Sequence, residues 1–182
     1  MGYTEIIPDD KDWTWVISQP CPECGFDAQS VKKEDAPIIV GQIADAWTKV
    51  LLREDVRHRP NESTWSALEY GCHVRDVFRI FNYRVNLMIA TDGAQFENWD
   101  QDATARDEQY ERQDPDVVSE ELNAAAQTIA ATYLGVSGDL WGHRGLRSNG
   151  SEFTIATQVV YLLHDPIHHL WDVGVDFEIS ND

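Results

Sequence analysis

The sequence has few basic residues and no long apolar run. Lysine and arginine total 14 against 32 aspartates and glutamates, which leaves a formal net charge of −18. A surface of that sign repels phosphate groups, so we expect neither a nucleic-acid partner nor a membrane partner. No apolar stretch approaches the ~20 residues that span a bilayer, and the acidic start lacks the pattern of a signal peptide. These absences predict a cytoplasmic protein.

Cysteine is also scarce, and the three cysteines do not suggest a disulfide framework. Two of them, Cys21 and Cys24, frame the motif Cys-Pro-Glu-Cys-Gly, which has the spacing of half a zinc knuckle. A complete site needs two more ligands, and the sequence has no second CxxC. A plain turn, a structural metal site and a redox pair are therefore all compatible with the motif. Cys72 stands alone and is expected to be a buried structural thiol.

Four amphipathic segments occupy most of the remaining chain. The first begins near Asp35, and the second begins at Ser66, which is placed to form a capping box with Glu69. The third begins at Asp114, which is followed by proline, and the fourth begins at Ser151. The stretches 91–113 and 141–150 lack a clear period and are predicted to be loops.

Four such helices with little strand signal predict an all-α fold. The expected architecture is an antiparallel four-helix bundle at residues 35–182, preceded by an irregular N-terminal arm at residues 1–34 that carries the CxxC turn. Pairing of two bundles into a homodimer is compatible with this architecture, although no sequence feature demonstrates it.

Three histidines stand out against this pattern. His164 and His168 are four residues apart in an apolar segment, and His73 lies early in the second helix. Residues i and i+4 share a helix face, so this pair and one histidine from a facing helix would form a three-nitrogen site with an open metal position. The alternative is a pair of ordinary helix histidines. Pro166 would break the pair if a helix began there, but the unbroken apolar period favours a continuous helix.

Two acids lie at helical spacing from these histidines. Asp76 follows His73 by three residues and Asp172 follows His168 by four. Carboxylates often orient metal-bound histidines, so Asp76 is a candidate orienting or proton-transfer group in catalysis. The alternative is that both are solvated surface acids. Arg144 and Arg147 are either clamps for a substrate carboxylate or ordinary loop cations.

The segments 65–76 and 163–173 together resemble the DinB/YfiT-like family of metalloenzymes, whose pattern is one histidine early in helix two and an HxxxH in helix four. The resemblance spans roughly Asp35 to Gly174, and it extends to mycothiol-dependent maleylpyruvate isomerases and bacillithiol transferases. It implies a DinB-like four-helix bundle that binds a divalent metal, most simply zinc or nickel, through His73, His164 and His168. It also implies a low-molecular-weight thiol cosubstrate and a family common in bacteria.

The resemblance therefore predicts a metal-dependent enzyme that acts on a small-molecule substrate. The expected reaction is of the S-transferase or isomerase type, in which a small thiol attacks a small electrophile. The alternative is a non-catalytic metal-binding stress protein, or a ligand-binding protein whose metal is structural.

Overall fold

Long helices form the body of the molecule and enclose its core. In the computed structural model, which describes residue 6 and residues 11–180, the helices are α1 (Ala36–Leu51), α2 (Ala67–Ala90), the short α3 (Gln101–Asp107), α4 (Pro115–Leu134) and α5 (Ile155–Asp172). Helix α4 packs against α1 and α2, and α5 packs against the same two helices. The predicted helical bundle is thus confirmed, and it is formed by the four long helices.

Capping side chains fix where two of the long helices begin. The Ser66 side chain accepts from the Glu69 backbone, and the Glu69 carboxylate accepts from the Ser66 backbone, which completes the predicted capping box of α2. The Asp114 carboxylate accepts from the first turn of α4, with proline at the next position as expected. Asp35 precedes α1 as predicted, but its side chain makes no capping hydrogen bond.

A small sheet replaces part of the predicted loops. Strand β1 (Ala94–Phe96) runs parallel to β2 (Arg144–Arg147), which pairs antiparallel with β3 (Glu152–Thr154). Because β3 occupies the residues where the fourth helix was expected to start, α5 begins later and is capped by Thr154 instead of Ser151. Strands of three or four residues are too short to show a period of two, which explains why the sequence did not reveal them.

The segment between α2 and α4 is also more ordered than its sequence suggests. It contains β1, α3 and a turn of 3₁₀ helix at Tyr110–Arg112. Asp100 caps α3 by accepting a hydrogen bond from Ala103, and the Tyr110 ring is fully buried. This segment places Trp99 beside the second long helix.

Helix α5 continues through Pro166, as the apolar period indicated. Proline removes one backbone donor from a helix, but the carbonyl oxygen of Pro166 still accepts a hydrogen bond, from the buried Trp47 indole at 3.2 Å. His164 and His168 therefore keep their one-turn spacing, and their ring centroids are 5.1 Å apart.

The N-terminal segment is built from short 3₁₀ helices at Thr14–Ile17, Ala28–Ser30 and Lys33–Asp35, and all three contact α5. Val16, Cys21 and Phe26 are buried in this packing. Within residues 11–180, no helix is long and apolar enough to cross a bilayer.

Replacing Ser66 with alanine should destabilise the protein by about 1–2 kcal/mol, because the first turn of α2 loses its side-chain acceptor. Ser119→Ala, in the second turn of α4 and not at a cap position, is the matched control and should change stability little. Urea unfolding followed by circular dichroism measures both. Equal effects of the two substitutions would contradict the capping role.

Candidate metal centres

Two neighbouring faces of α5 carry all the metal-binding side chains of this helix. Successive residues of an α-helix point about 100° apart, so His164 and His168 share one face while Asp165 and His169 share the next. The first pair lies beside the N-terminal segment, and the second pair lies beside α2. Each pair meets different partners, and two clusters result.

The first group, here called the histidine–aspartate cluster, consists of His73, Asp165 and His169. One ligand atom from each lies within 4.8 Å of the others. The Asp165 Oδ1 atom is 3.3 Å from His73 Nε2 and 3.8 Å from His169 Nε2. Ligand atoms that share a tetrahedral metal with bonds near 2.0 Å stand about 3.3 Å apart. The spacing therefore fits three donors around one cation.

A carboxylate on the far side of His169 fixes how this ring presents its nitrogens. His169 Nδ1 lies 2.7 Å from Asp172 Oδ2. A carboxylate accepts the Nδ1 proton, which leaves the Nε2 lone pair directed toward Asp165 and His73. The orienting acid expected for His168 therefore serves its neighbour instead, because residues i and i+3 share a helix face as well as i and i+4 do.

Missing hydrogen bonds support the metal assignment. Among the described residues, seven buried side-chain nitrogen and oxygen atoms have no hydrogen-bond partner. Five belong to α5 and its facing histidine: both ring nitrogens of His73, Oδ1 of Asp165, Nε2 of His164 and Oε1 of Gln158. Leaving a buried polar atom unpaired costs about 1–3 kcal/mol. A cation bound at the histidine–aspartate cluster would take two of these atoms as ligands, Nε2 of His73 and Oδ1 of Asp165, and the residues present fit such an ion.

Aromatic rings enclose the buried histidine of this cluster. His73 is fully buried and stacks almost parallel on Trp99, with ring centroids 5.2 Å apart. Trp65 covers another side of the ring at 5.4 Å. These contacts restrict the rotation of His73 and hold its Nε2 atom toward α5.

The charge of Asp165 is stabilised by its surroundings. Burial alone would raise its pKa, but the adjacent His73 and His169 rings outweigh burial and lower the pKa of the carboxyl group. The side chain is about one third exposed, yet its Oδ1 atom is sealed from solvent. An ionised oxygen in that position is a suitable donor for a hard or borderline cation.

The second group, here called the cysteine–histidine cluster, consists of Cys21, Cys24, His164 and His168. One ligand atom from each again lies within 4.8 Å of the others. Burial is the largest cause that lowers the pKa of His164, to about 4, and that raises the pKa of the Cys24 thiol, to about 12. The two imidazoles are therefore neutral at pH 7, which is the form that binds metals.

The structure divides the three histidines expected to form one site. His73 joins Asp165 and His169, whereas His164 and His168 join the cysteines of the N-terminal segment. The physical reason is the orientation of α5 around its axis. The pair that faces His73 also has i,i+4 spacing, but it consists of Asp165 and His169, each one residue after the expected ligand. The Asp-x-x-x-His spacing was visible in the sequence, but only the orientation of α5 reveals which pair faces α2.

Asp76, the candidate orienting or proton-transfer group, does not belong to either cluster. Its two carboxylate oxygens accept from the Arg75 guanidinium at 2.9 Å, from Arg79 at 3.1 Å and from the Tyr110 hydroxyl. Burial would raise the pKa of Asp76, but these donors lower it. The residue lies outside the lining of the cavity described next, and its contacts indicate a structural ion-pair network.

A cavity of about 830 Å³ opens beside both clusters. His164, Asp165, His168 and His169 all line it, whereas His73 lies behind them. Arg147 also faces the cavity and is held by Asn149 and Ser151. The rest of the wall combines polar side chains with six aromatic ones: Trp13, Trp65, Tyr70, Trp99, Tyr161 and Trp171. A small molecule could therefore reach the histidine–aspartate cluster. Arg144, the other candidate clamp for a substrate carboxylate, forms an ion pair with Asp92.

The fold and the donor groups define a helical-bundle protein with candidate divalent-metal sites. The model of the DinB superfamily matches residues 41–173, and the chain belongs to this superfamily.

One solved structure with a similar fold is that of YfiT from Bacillus subtilis, described as a probable metal-dependent hydrolase with an unusual four-helix bundle topology. The two chains align with a TM-score of 0.68 at 11% identity, over 76% of this chain and 82% of that one. Similarity at this level of identity supports the shared fold alone. No curated protein sequence matches the chain.

Asp76→Asn should destabilise the protein by about 1–3 kcal/mol at pH 7, because Arg75 loses its buried counterion and keeps only the more exposed Glu121. The folded-state pKa of Asp76 lies below the unfolded value of about 3.9. The ionised carboxylate therefore contributes its full stabilisation of the fold at pH values above the unfolded pKa. The contribution disappears as the pH falls through the lower folded-state pKa. Urea unfolding at several pH values measures the difference between wild type and variant.

The exposed Asp45→Asn is the matched control for this substitution and should be neutral. An Asp76→Asn protein of unchanged stability, but with lost metal, would contradict the structural role of Asp76.

Asp172→Asn should weaken metal binding at the histidine–aspartate cluster by about 10–100-fold, because the His169 ring loses the carboxylate that orients it. Competition with a chromophoric chelator measures the affinity. Asp139→Asn, on an exposed turn, should leave the affinity unchanged. An affinity equal to that of wild type would show that Asp172 does not position His169.

Proposed function

We propose that this protein is a metal-dependent enzyme whose divalent cation is held by His73, Asp165 and His169. One observation carries the proposal: the donor atoms of these three residues converge, and two of the residues also line the cavity. Catalytic metal sites typically have three protein ligands and keep a further position for water or substrate, whereas structural sites are closed by four. The histidine–aspartate cluster has the composition of the first kind.

A divalent cation in this position would act as a Lewis acid that lowers the pKa of a water or thiol in its open position. Two neutral imidazoles and one carboxylate would leave the complex with a net positive charge. Zinc and nickel are among the cations that imidazole and carboxylate donors bind. The chain contributes by holding the donors rigidly: Asp172 orients His169, and Trp99 stacks on His73.

The proposed nucleophile is the thiolate of a small thiol, and the proposed substrate is a small electrophile. The cavity volume suits two small molecules, and its aromatic wall would pack against an apolar or planar electrophile. Arg147 would bind an anionic group on either molecule, because its guanidinium is already held in place by hydrogen bonds. Hydrolysis, in which water takes the place of the thiol, uses the same donors and is the other outcome of the test.

The test is to load the purified, untagged protein with zinc or nickel and to measure turnover of 1-chloro-2,4-dinitrobenzene and of activated esters, with and without an added small thiol. Turnover should require metal and thiol. His169→Ala should lower it at least about 100-fold, because losing a Lewis acid removes several kcal/mol of transition-state stabilisation. His58→Ala, on an exposed turn, is the matched control and should retain full turnover.

Replacement of Asp165 separates ligand loss from loss of the fold. Asp165→Ala should lose the metal, whereas Asp165→His should retain it, because a histidine at that position still offers a donor one turn before His169. Retained turnover in His73→Ala and His169→Ala would overturn the proposal. Metal-dependent ester hydrolysis without any thiol requirement would support the proposed metal site but would contradict the proposed thiol cosubstrate.

A non-catalytic metal-binding protein is the second candidate, and the closed cysteine–histidine cluster favours it. If the protein binds metal tightly but no thiol or substrate perturbs the metal at the histidine–aspartate cluster, this second function replaces the first.

A further inference from the structure

The CxxC motif of the N-terminal segment has no role in the proposed reaction, yet its backbone is arranged like a metal-binding turn. Gly25 N donates to the Cys21 carbonyl oxygen at 2.9 Å, and Cys21 N donates to the Phe26 carbonyl oxygen at 2.8 Å. Gly25 has φ +74°, a conformation that a residue with a side chain rarely adopts. The turn holds both cysteines next to α5.

The two ligands that the motif lacks come from α5. Cys21 Sγ is 3.7 Å from His168 Nδ1. A thiolate sulfur and an imidazole nitrogen that share a tetrahedral zinc ion, with bonds near 2.3 and 2.0 Å, stand about 3.6 Å apart. His164 supplies an independent sign of a missing partner, because its Nε2 atom is buried without a hydrogen bond.

We propose that Cys21, Cys24, His164 and His168 bind one zinc ion in a closed, structural site. Zinc in proteins prefers four tetrahedral sulfur and nitrogen ligands, and this set supplies two of each. The cysteines bind as thiolates, so binding one Zn²⁺ releases two thiol protons to solvent. The two thiolate charges then balance the +2 charge of the ion, which allows the complex to be buried.

Aromatic and acidic side chains pack against the two histidines of the cluster, which also line the cavity. The Trp13 ring lies over both imidazoles, with centroids 5.3 Å from His164 and 4.8 Å from His168. Phe26 covers His164 from another side at 5.7 Å. Glu23 Oε2 is 3.5 Å from His168 Nε2, which is the nitrogen that faces away from Cys21. A carboxylate there orients a metal-bound imidazole.

The zinc site would connect the N-terminal segment to the helix that carries the other metal centre. Trp13 and Glu23 also line the cavity, so the ion would fix one of its walls. The site is separate from the proposed reaction centre, because the two clusters share no ligand.

Cobalt substitution tests the site directly. Cobalt(II) replaces zinc in tetrahedral sites, and thiolate ligands give it an intense near-ultraviolet charge-transfer band. Cobalt titrated into reduced, metal-free wild-type protein should produce this band, with saturation at one thiolate-bound ion per chain. Cys21→Ser and His164→Ala should lower the intensity or abolish the band, and each should reduce the zinc content of the purified protein by one ion per chain.

Two variants serve as controls. Cys72→Ala removes the remaining thiol, which lies outside the cluster near the Tyr110 carbonyl, and should leave the band unchanged. His169→Ala should remove the metal of the histidine–aspartate cluster and also leave the band intact. These controls distinguish the two centres. Evidence against a metal in one cluster would therefore not count against a metal in the other.

Three outcomes would overturn the zinc proposal. The first is the absence of a thiolate band in wild-type protein, a measurement that does not depend on the folding of any variant. The second is a band lost in Cys72→Ala but retained in Cys21→Ser. The third is a Cys21–Cys24 disulfide, found by mass spectrometry of protein alkylated at cell lysis without added reductant, which would assign the motif to redox chemistry.

Discussion

The chemistry of this protein depends on the 100° rotation between successive residues of α5. Within six positions, this helix presents two donor pairs, and the rotation directs one pair to α2 and the other to the N-terminal segment. A displacement of one residue in the packing of α5 would move one donor pair to the place of the other and would turn the other pair away from its partners. The contacts of α5 with α1 and α2 therefore position the donors as well as forming the core.

Several features keep α5 in this register. The helix continues through Pro166, whose carbonyl accepts the Trp47 indole proton from α1. At its start, Thr154 and Thr157 form a reciprocal cap immediately after β3. Because the start of the helix follows β3 directly and its middle is bonded to α1, rotation about its axis would break packing and hydrogen bonds together.

The two clusters differ in the properties that separate catalytic from structural metal centres. The histidine–aspartate cluster has three donors, and two of its residues face a cavity. The cysteine–histidine cluster also has two residues at the cavity, but it has four donors, two of them cysteine sulfurs. Three ligands leave a cation able to bind another group, and four soft or neutral ligands satisfy zinc completely. The strongly acidic chain provides a favourable field for cations at both places.

The sequence by itself determined the four long helices, because their apolar periods and the caps at Ser66 and Asp114 are local features that neighbouring residues specify. It also revealed a histidine pair and half of a zinc knuckle as separate motifs. Only the tertiary structure decided which residues meet, since Cys21 and His168 are 147 positions apart and Asp165 differs from His164 only by its direction around the helix axis. Local sequence fixes the helical period, but the packing of α5 against the rest of the chain fixes its rotation, and that rotation selects the ligands.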